Sequence, residues 1–454
     1  MFYYLSGIFN KVNKQSINRE DNMAIQPPRG TRDFMPADMI KREYLLDMVR
    51  AVFEDYGYQP LETPAFEGWE LLSKKGGGGD SIKDELYCFR DKSGRGMGLR
   101  FDLTVPMARF VAANPQLPKP FKRYQIGRVW RYDRPQAGRF REFWQADADT
   151  VGSESMDCEA ECLALAINTL MQLGFKKFRV RLNNRKILNG IVELAGVKKG
   201  KEAAVFRVLD KLDKLGPGDV RKELGRLVSP GKANFIMKAI ERRGTPASIL
   251  KGTSEVECST VADQGLDELR ELVEKCGVYG IKRFIEIDFS LVRGLDYYTG
   301  PIFEISIGEG RNLGSVAGGG RYDNLIELYG GKWTPATGIS LGIERIFELM
   351  ESGGMFKQPR TRSEVFVVAV DDLVRRDAVR LAQELRAKFA NVETDLMGRD
   401  MKRQLAYANS QGIPFAVLVG PRELKRGRFT VREMKSGKQA GMTIPQMLKR
   451  FGKA

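Results

Sequence analysis

The chain of 454 residues contains no histidine. That absence excludes Ser-His-Asp and Cys-His catalysis and every histidine-ligated metal site. Chemistry must run on arginine, lysine, carboxylates, amides, backbone groups and any bound metal. Cysteine is scarce and odd in number, five in all. This argues against a disulfide framework and fits a reducing, cytoplasmic setting. Cys158 and Cys162 lie four apart on a predicted helix. Two thiols fall short of the roughly four ligands of a metal site, so they read as buried core. No apolar run approaches the length of a membrane span. The first nine residues are apolar but too short for a signal peptide and lack its basic flank. Residues 1–22 are expected to form a disordered extension.

Positive charge is abundant. The formal net charge is +16, which speaks of partners rather than fold. It is unevenly placed. Residues 361–454 carry 19 basic and 10 acidic groups, and residues 181–250 carry 16 and 7. Two basic regions imply contact with a large polyanion at several points.

Two segments carry the candidate chemistry. In Arg123–Arg131, strand periodicity puts Gln125, Gly127, Val129 and Arg131 on one face. In Arg141–Asp149, it puts Arg141, Phe143, Gln145, Asp147 and Asp149 on one face. The intervening residues 132–139 hold the breakers Pro135 and Gly138, so the pair reads as a hairpin. Its cations at root and tip suit a polyanion, and its carboxylates suit a small polar cation. The second segment is Leu291-Val-Arg-Gly-Leu-Asp-Tyr-Tyr298, which reads as an apolar strand with Arg293 inside it. Arg345 closes Gly338-Ile-Ser-Leu-Gly-Ile-Glu-Arg345. An unpartnered buried guanidinium is costly, so such arginines point to an anionic ligand.

Other elements follow from period and breakers. Leu45, Val49, Val52, Phe53 and Tyr56 predict a helix over 37–56, closed by Gly57, and 154–173 predicts another. Gly76–Gly79 reads as a loop or linker, and 318–320 as a glycine-rich turn. Residues 185–280 read as mainly helical and basic. Strands at 365–370, 392–396, 415–419 and 428–432 with helices at 372–390 and 400–410 predict a compact α/β domain.

These motifs carry a resemblance. Phe121–Asp149 resembles motif 2 of class II aminoacyl-tRNA synthetases. Leu61-Glu-Thr-Pro64 is similar to motif 1, and Ala317–Asp323 with Gly338–Arg345 to motif 3. Leu291–Tyr298 resembles the signature of the histidyl-tRNA synthetases, which Arg29–Asp33 and Leu99–Thr104 also fit. The resemblance runs from about residue 25 to the C-terminus.

It implies an α+β chain. A class II catalytic domain, an antiparallel sheet flanked by helices, would occupy 23–184 and 281–351. A helical insertion would span 185–280, a linker 352–361, and an anticodon-binding α/β domain 362–454. It implies activation of histidine by ATP with Mg²⁺, then transfer to the 3′ end of tRNA(His), by a homodimer joined through the helix over 37–56 and the strand after it. Arg131 and Arg293 would be catalytic, with Arg131, Arg139 and Arg345 on ATP. Asp102, Thr104 and Gln145 would hold the α-ammonium. Asp149 and Tyr298 would read the imidazole, and Arg293, Tyr297 and Tyr322 would line the histidine pocket. Arg134 and Gln136 would meet the tRNA acceptor end. The rival is a synthetase-like, histidine-binding regulatory subunit of histidine biosynthesis. Such proteins usually lack the C-terminal domain and lose catalytic arginines, and this chain keeps both.

Overall fold

The computed structural model describes residues 25–74, 84–132, 140–198, 200–251, 259–292, 297–308, 315–388 and 390–451. The expected N-terminal extension, the Gly76–Gly79 loop, Arg134, Gln136, Arg139 and Arg293 lie outside the described residues.

A nine-stranded sheet organises the larger part of the chain. Its order is Gln59–Pro60, Phe121–Trp130, Glu142–Val151, Ala336–Gly342, Ser315–Arg321, Pro301–Ile307, Phe178–Asn184, Ile285–Asp288, Arg243–Gly244. The six strands from Phe121–Trp130 to Phe178–Asn184 are antiparallel to their neighbours. Parallel pairs flank them on either side. The predicted hairpin is present, in register from Phe121↔Val151 to Trp130↔Glu142.

Helices cover the sheet with their apolar faces. Pro36–Asp55 buries Leu45, Val49, Val52 and Phe53 and ends before Gly57, whose φ is 77°. Asp157–Gln172 lies on the Ala336–Gly342 strand and buries both Cys158 and Cys162. Between Asn184 and Ile285 the chain is mainly helical, and Thr260–Val278 packs on Asp157–Gln172 and on Arg185–Leu194. Its apolar residues, such as Val205, Leu224, Ile236 and Leu269, join one core with Ile302, Leu341 and Leu163.

Residues beyond 364 build a five-stranded sheet, ordered Val392–Thr394, Val365–Ala369, Phe415–Val419, Phe429–Glu433, Gln439–Met442. Its first three strands are parallel and its last two antiparallel. Val365–Ala369 is apolar throughout because both faces are covered. Val365, Val367 and Ala369 meet Leu381 and Leu385, while Phe366 and Val368 meet Ala408 and Ile413.

Two expectations are corrected. Gly318–Gly320 is no turn but the middle of the Ser315–Arg321 strand. A Cβ on Gly319 would overlap the Gly338 carbonyl and lie 2.7 Å from the Phe303 ring, so the strands need glycine to close together. The segment starting at Leu291 does not continue a strand at either described end. Leu291 and Val292 are irregular and Tyr297 sits in a turn. The strand stops at Asp288, whose carboxylate accepts from the Ser290 N–H (2.9 Å) and hydroxyl, turning the chain away.

Candidate active site

One cavity of about 590 Å³ opens on the central strands. Its wall includes Asp102, Thr104, Arg131, Gln145, Asp149, Tyr297, Tyr298, Tyr322 and Arg345, so the sequence candidates within the described residues converge. Strand alternation brings Gln145, Asp147 and Asp149 to one face. The neighbouring strand supplies Ser340 and Gly338, opposite Asp147 and Asp149.

Asp149 is the most constrained of these groups. Arg123, directly opposite it in the hairpin, places Nη2 2.7 Å from Asp149 Oδ2. Both side chains are almost fully buried, at 0% and 2% exposure. Arg123 Nη2 also donates to the Leu103 carbonyl (3.1 Å). The Tyr322 hydroxyl donates to Asp149 Oδ1. Burial raises the Asp149 carboxyl above its ordinary range, with Arg123 and Tyr322 opposing. Burial, then Asp149 itself, pushes the Tyr322 phenol well up, so Tyr322 keeps its proton. Gly338 makes room, because a Cβ there would overlap Asp149 Oδ1.

Two further carboxyls line the same wall. Asp102 Oδ1 accepts from the Val105 N–H (3.0 Å) at the start of the helix Thr104–Ala113. Burial pushes Asp102 up to about 6 against that bond and the charges of Arg131 and Arg123. Asp147 is pushed up to about 7, first by burial and then by Asp149. Gln145 Nε2 donates to Ser340 Oγ (2.7 Å).

The arginines are pinned through some donors. Arg131 Nε donates to the Phe101 carbonyl (2.9 Å) and its guanidinium lies 5.3 Å from the Phe143 ring centre. Arg345 donates to the Ser315 carbonyl. Tyr297 packs against Tyr298 and edge-on to Tyr322, at centroid distances of 4.9 and 5.7 Å. Asn183, fully buried, donates to the carbonyls of Phe289 (3.1 Å) and Leu291 (3.0 Å), holding the approach to the Arg293 segment.

Sequence reasoning missed several supports. Arg321 makes paired bonds of 2.8 and 2.9 Å to buried Glu159, tying the glycine-rich strand to the helix beneath. Glu344 receives Arg32 and buried Arg42, and accepts from the Trp144 N–H (3.2 Å). The signal for Arg123 was its place opposite Asp149 once the hairpin register is written out.

A cavity lined by carboxyls and by pinned arginines can hold a cationic amine and an anionic phosphate side by side. Comparison with known proteins agrees with that chemistry. The family profile described as Histidyl-tRNA synthetase matches residues 30–346, and the one described as Anticodon binding domain matches 364–453. A protein of Aeropyrum pernix named Histidine–tRNA ligase is 43% identical over 428 residues, 93% of this chain and 97% of its own. One of Gloeobacter violaceus with the same name is 40% identical, over 90% of this chain and 94% of its own. The crystal structure of histidyl-tRNA synthetase from a Nostoc species superposes with a TM-score of 0.79 at 29% identity, covering 94% of this chain and 99% of that one.

Proposed function

The chain belongs to the histidyl-tRNA synthetases, and from that premise we propose which residues carry the reaction. As a histidine–tRNA ligase it joins histidine to ATP, giving histidyl-adenylate and pyrophosphate, then passes histidine to the 3′ end of tRNA(His). In the first step the histidine carboxylate attacks the α-phosphate, and negative charge grows on phosphate oxygens. Catalysis is then positioning and electrostatic stabilisation.

Arg131 holds the α-phosphate and the attacking carboxylate. Its bond to the Phe101 carbonyl supports this, because that bond uses Nε and fixes the guanidinium on the cavity wall. Arg293 bridges the same two groups. Arg345 lies against the adenine, and Arg139 touches the phosphates. Asp102, Thr104 and Gln145 receive the α-ammonium. Asp149 and Tyr298 read the imidazole, with Tyr297 beside them. Asp149 meets one ring N–H with an oxygen that Tyr322 or Arg123 already orients. A site of this kind rejects analogues lacking those donors, because its own groups would be left unpaired. Mg²⁺ bound to ATP would be held largely by the phosphates and by water, and would supply charge neutralisation there. Among the described residues no group of three or more carboxylates and thiols is placed to hold a metal ion, which fits a cation carried by ATP rather than by a cage of the protein.

The domains divide as the resemblance implies, with residues 362–454 reading the anticodon and Arg134 and Gln136 meeting the acceptor end. The separate apolar core of the C-terminal sheet and its excess of basic residues support this division. The protein works as a homodimer in the cytoplasm. The helix Pro36–Asp55 and the strand after it form the interface, a reading supported by the edge position of Gln59–Pro60 in the large sheet. No described helix is long and apolar enough to cross a membrane.

The observation that carries the assignment is the meeting of Asp102, Gln145, Asp149, Tyr298, Arg131 and Arg345 on one cavity. Aminoacylation of a tRNA(His) transcript tests it. Labelled histidine, and no other amino acid, is expected to become tRNA-bound. Histidine binding without ester formation would favour the regulatory-subunit reading instead.

A further inference from the structure

Four buried acceptors on the cavity wall lack a hydrogen bond among the described residues, Asp102 Oδ2, Gln145 Oε1, Asp147 Oδ1 and Asp149 Oδ2, and of these Asp149 Oδ2 is ion-paired with Arg123, which leaves three. Asp102 and Asp147 are 3% and 2% exposed. Buried polar atoms are normally paired, and unpaired carboxylate oxygens are costly. The remainder of each side chain is already committed. Asp102 Oδ1 holds the Val105 N–H, and Gln145 Nε2 holds Ser340 Oγ. The Ser340 hydroxyl in turn serves Asp147. Ser340 therefore links Gln145 to Asp147 and fixes both. Arg123, the nearest buried cation in the hairpin, gives its ion pair to Asp149.

What is missing is a compact group with several donors and no acceptor. An ammonium has three N–H bonds and no lone pair, which matches three convergent acceptors. Building on the reading of this cavity as the histidine site, we propose that Asp147 is a specificity-determining contact for the substrate's α-ammonium, completing a three-acceptor cage with Asp102 and Gln145. Thr104 lines the same wall beside this cage. Asp147 stands two residues from Gln145 and two from Asp149 on one strand face. It therefore sets the spacing between the ammonium and the imidazole.

The test compares ligands with and without the amine. Histidine and histidinol carry it, and imidazolepropionate lacks it. Binding is measured by calorimetry without ATP, for the wild-type chain and Asp147→Asn. The variant is expected to bind histidine and histidinol about tenfold more weakly or worse, with imidazolepropionate within about twofold, the pattern of a lost charge-assisted bond. Equal losses for all three ligands, or no loss for histidine, would overturn the proposal. Failure of the wild-type chain to bind histidine would instead sink the reading of the cavity. Should Asp147→Asn not fold, the wild-type chain still decides. The groups facing Asp147 are Asp149 on its own strand, Arg123 on the next, Ser340 opposite, and Arg100 and Asp102 from the segment before the helix Thr104–Ala113. With Asp147 pushed up to about 7 in the empty site, histidinol is expected at pH 6.5, once each ligand's own imidazole titration is subtracted, to release more protons than the same alcohol without its amine. Equal release from both overturns the cage.

Discussion

Replacing Asp147 by asparagine is expected to stabilise the ligand-free protein at pH 8 and to change it little at pH 4. The carboxyl ionises near 3.8 when unfolded and is pushed up to about 7 when folded, chiefly by burial. Between those values the folded state binds the extra proton. Stability therefore falls as pH rises through that window and levels off above about 7. At about 1.4 kcal/mol per tenfold, the interval amounts to about 4 kcal/mol if Asp147 acts alone. Asp149 supplies part of the push, so the variant should recover about 2–4 kcal/mol at pH 8 on that scale. The assay is urea unfolding of the catalytic core, followed by tryptophan fluorescence at pH 4, 5, 6, 7 and 8. Saturating histidine should narrow the gap, because its ammonium compensates the wild-type carboxylate. A constant difference between the two proteins across the range would refute the reasoning, as would destabilisation by asparagine at pH 8.

Other perturbations follow from the same geometry. In Gly338→Ala the new methyl overlaps Asp149 Oδ1 and sits 2.6 Å from its Cγ. Histidine affinity should drop by about tenfold or more, the scale of a lost charge-assisted bond, and unchanged affinity in a calorimeter would contradict the role of Asp149. Arg123→Met leaves Asp149 buried without its counter-charge and should cost about 3–5 kcal/mol in urea unfolding, much of it restored by adding Asp149→Asn. No restoration would mean that Arg123 acts through something other than that pair. Arg293→Ala should slow adenylate formation far more than it weakens histidine binding, since it acts on developing charge; equal losses in pre-steady-state kinetics would count against this.

Much of the fold was legible because its signals are local. The hairpin was readable from alternation flanking Pro135 and Gly138, and the C-terminal strands from short apolar runs between amphipathic helices. The candidate contacts Asp102, Gln145, Asp149 and Arg345 were legible from motifs, and the structure gathers them on one wall. Asp147 was visible as a residue on the right face, but alternation cannot say whether that face meets solvent or a sealed wall. Arg123 read as a charge at the hairpin's root, and its complete burial depends on Leu103 and Asp149, which arrive from elsewhere. The glycines 318–320 misled because glycine marks turns and close strand contacts alike, and only the strand holding Gly338 decides between them. Leu291 and Val292 misled because their apolar side chains suggested a strand, whereas the Asp288 carboxylate had already turned the chain.

The central claim is that this one cavity activates histidine, and ATP–pyrophosphate exchange with each amino acid in turn tests it most directly. The account predicts exchange with histidine alone, without tRNA, and its collapse in Arg131→Ala. Exchange driven by another amino acid, or none in folded protein that still binds histidine, would contradict it.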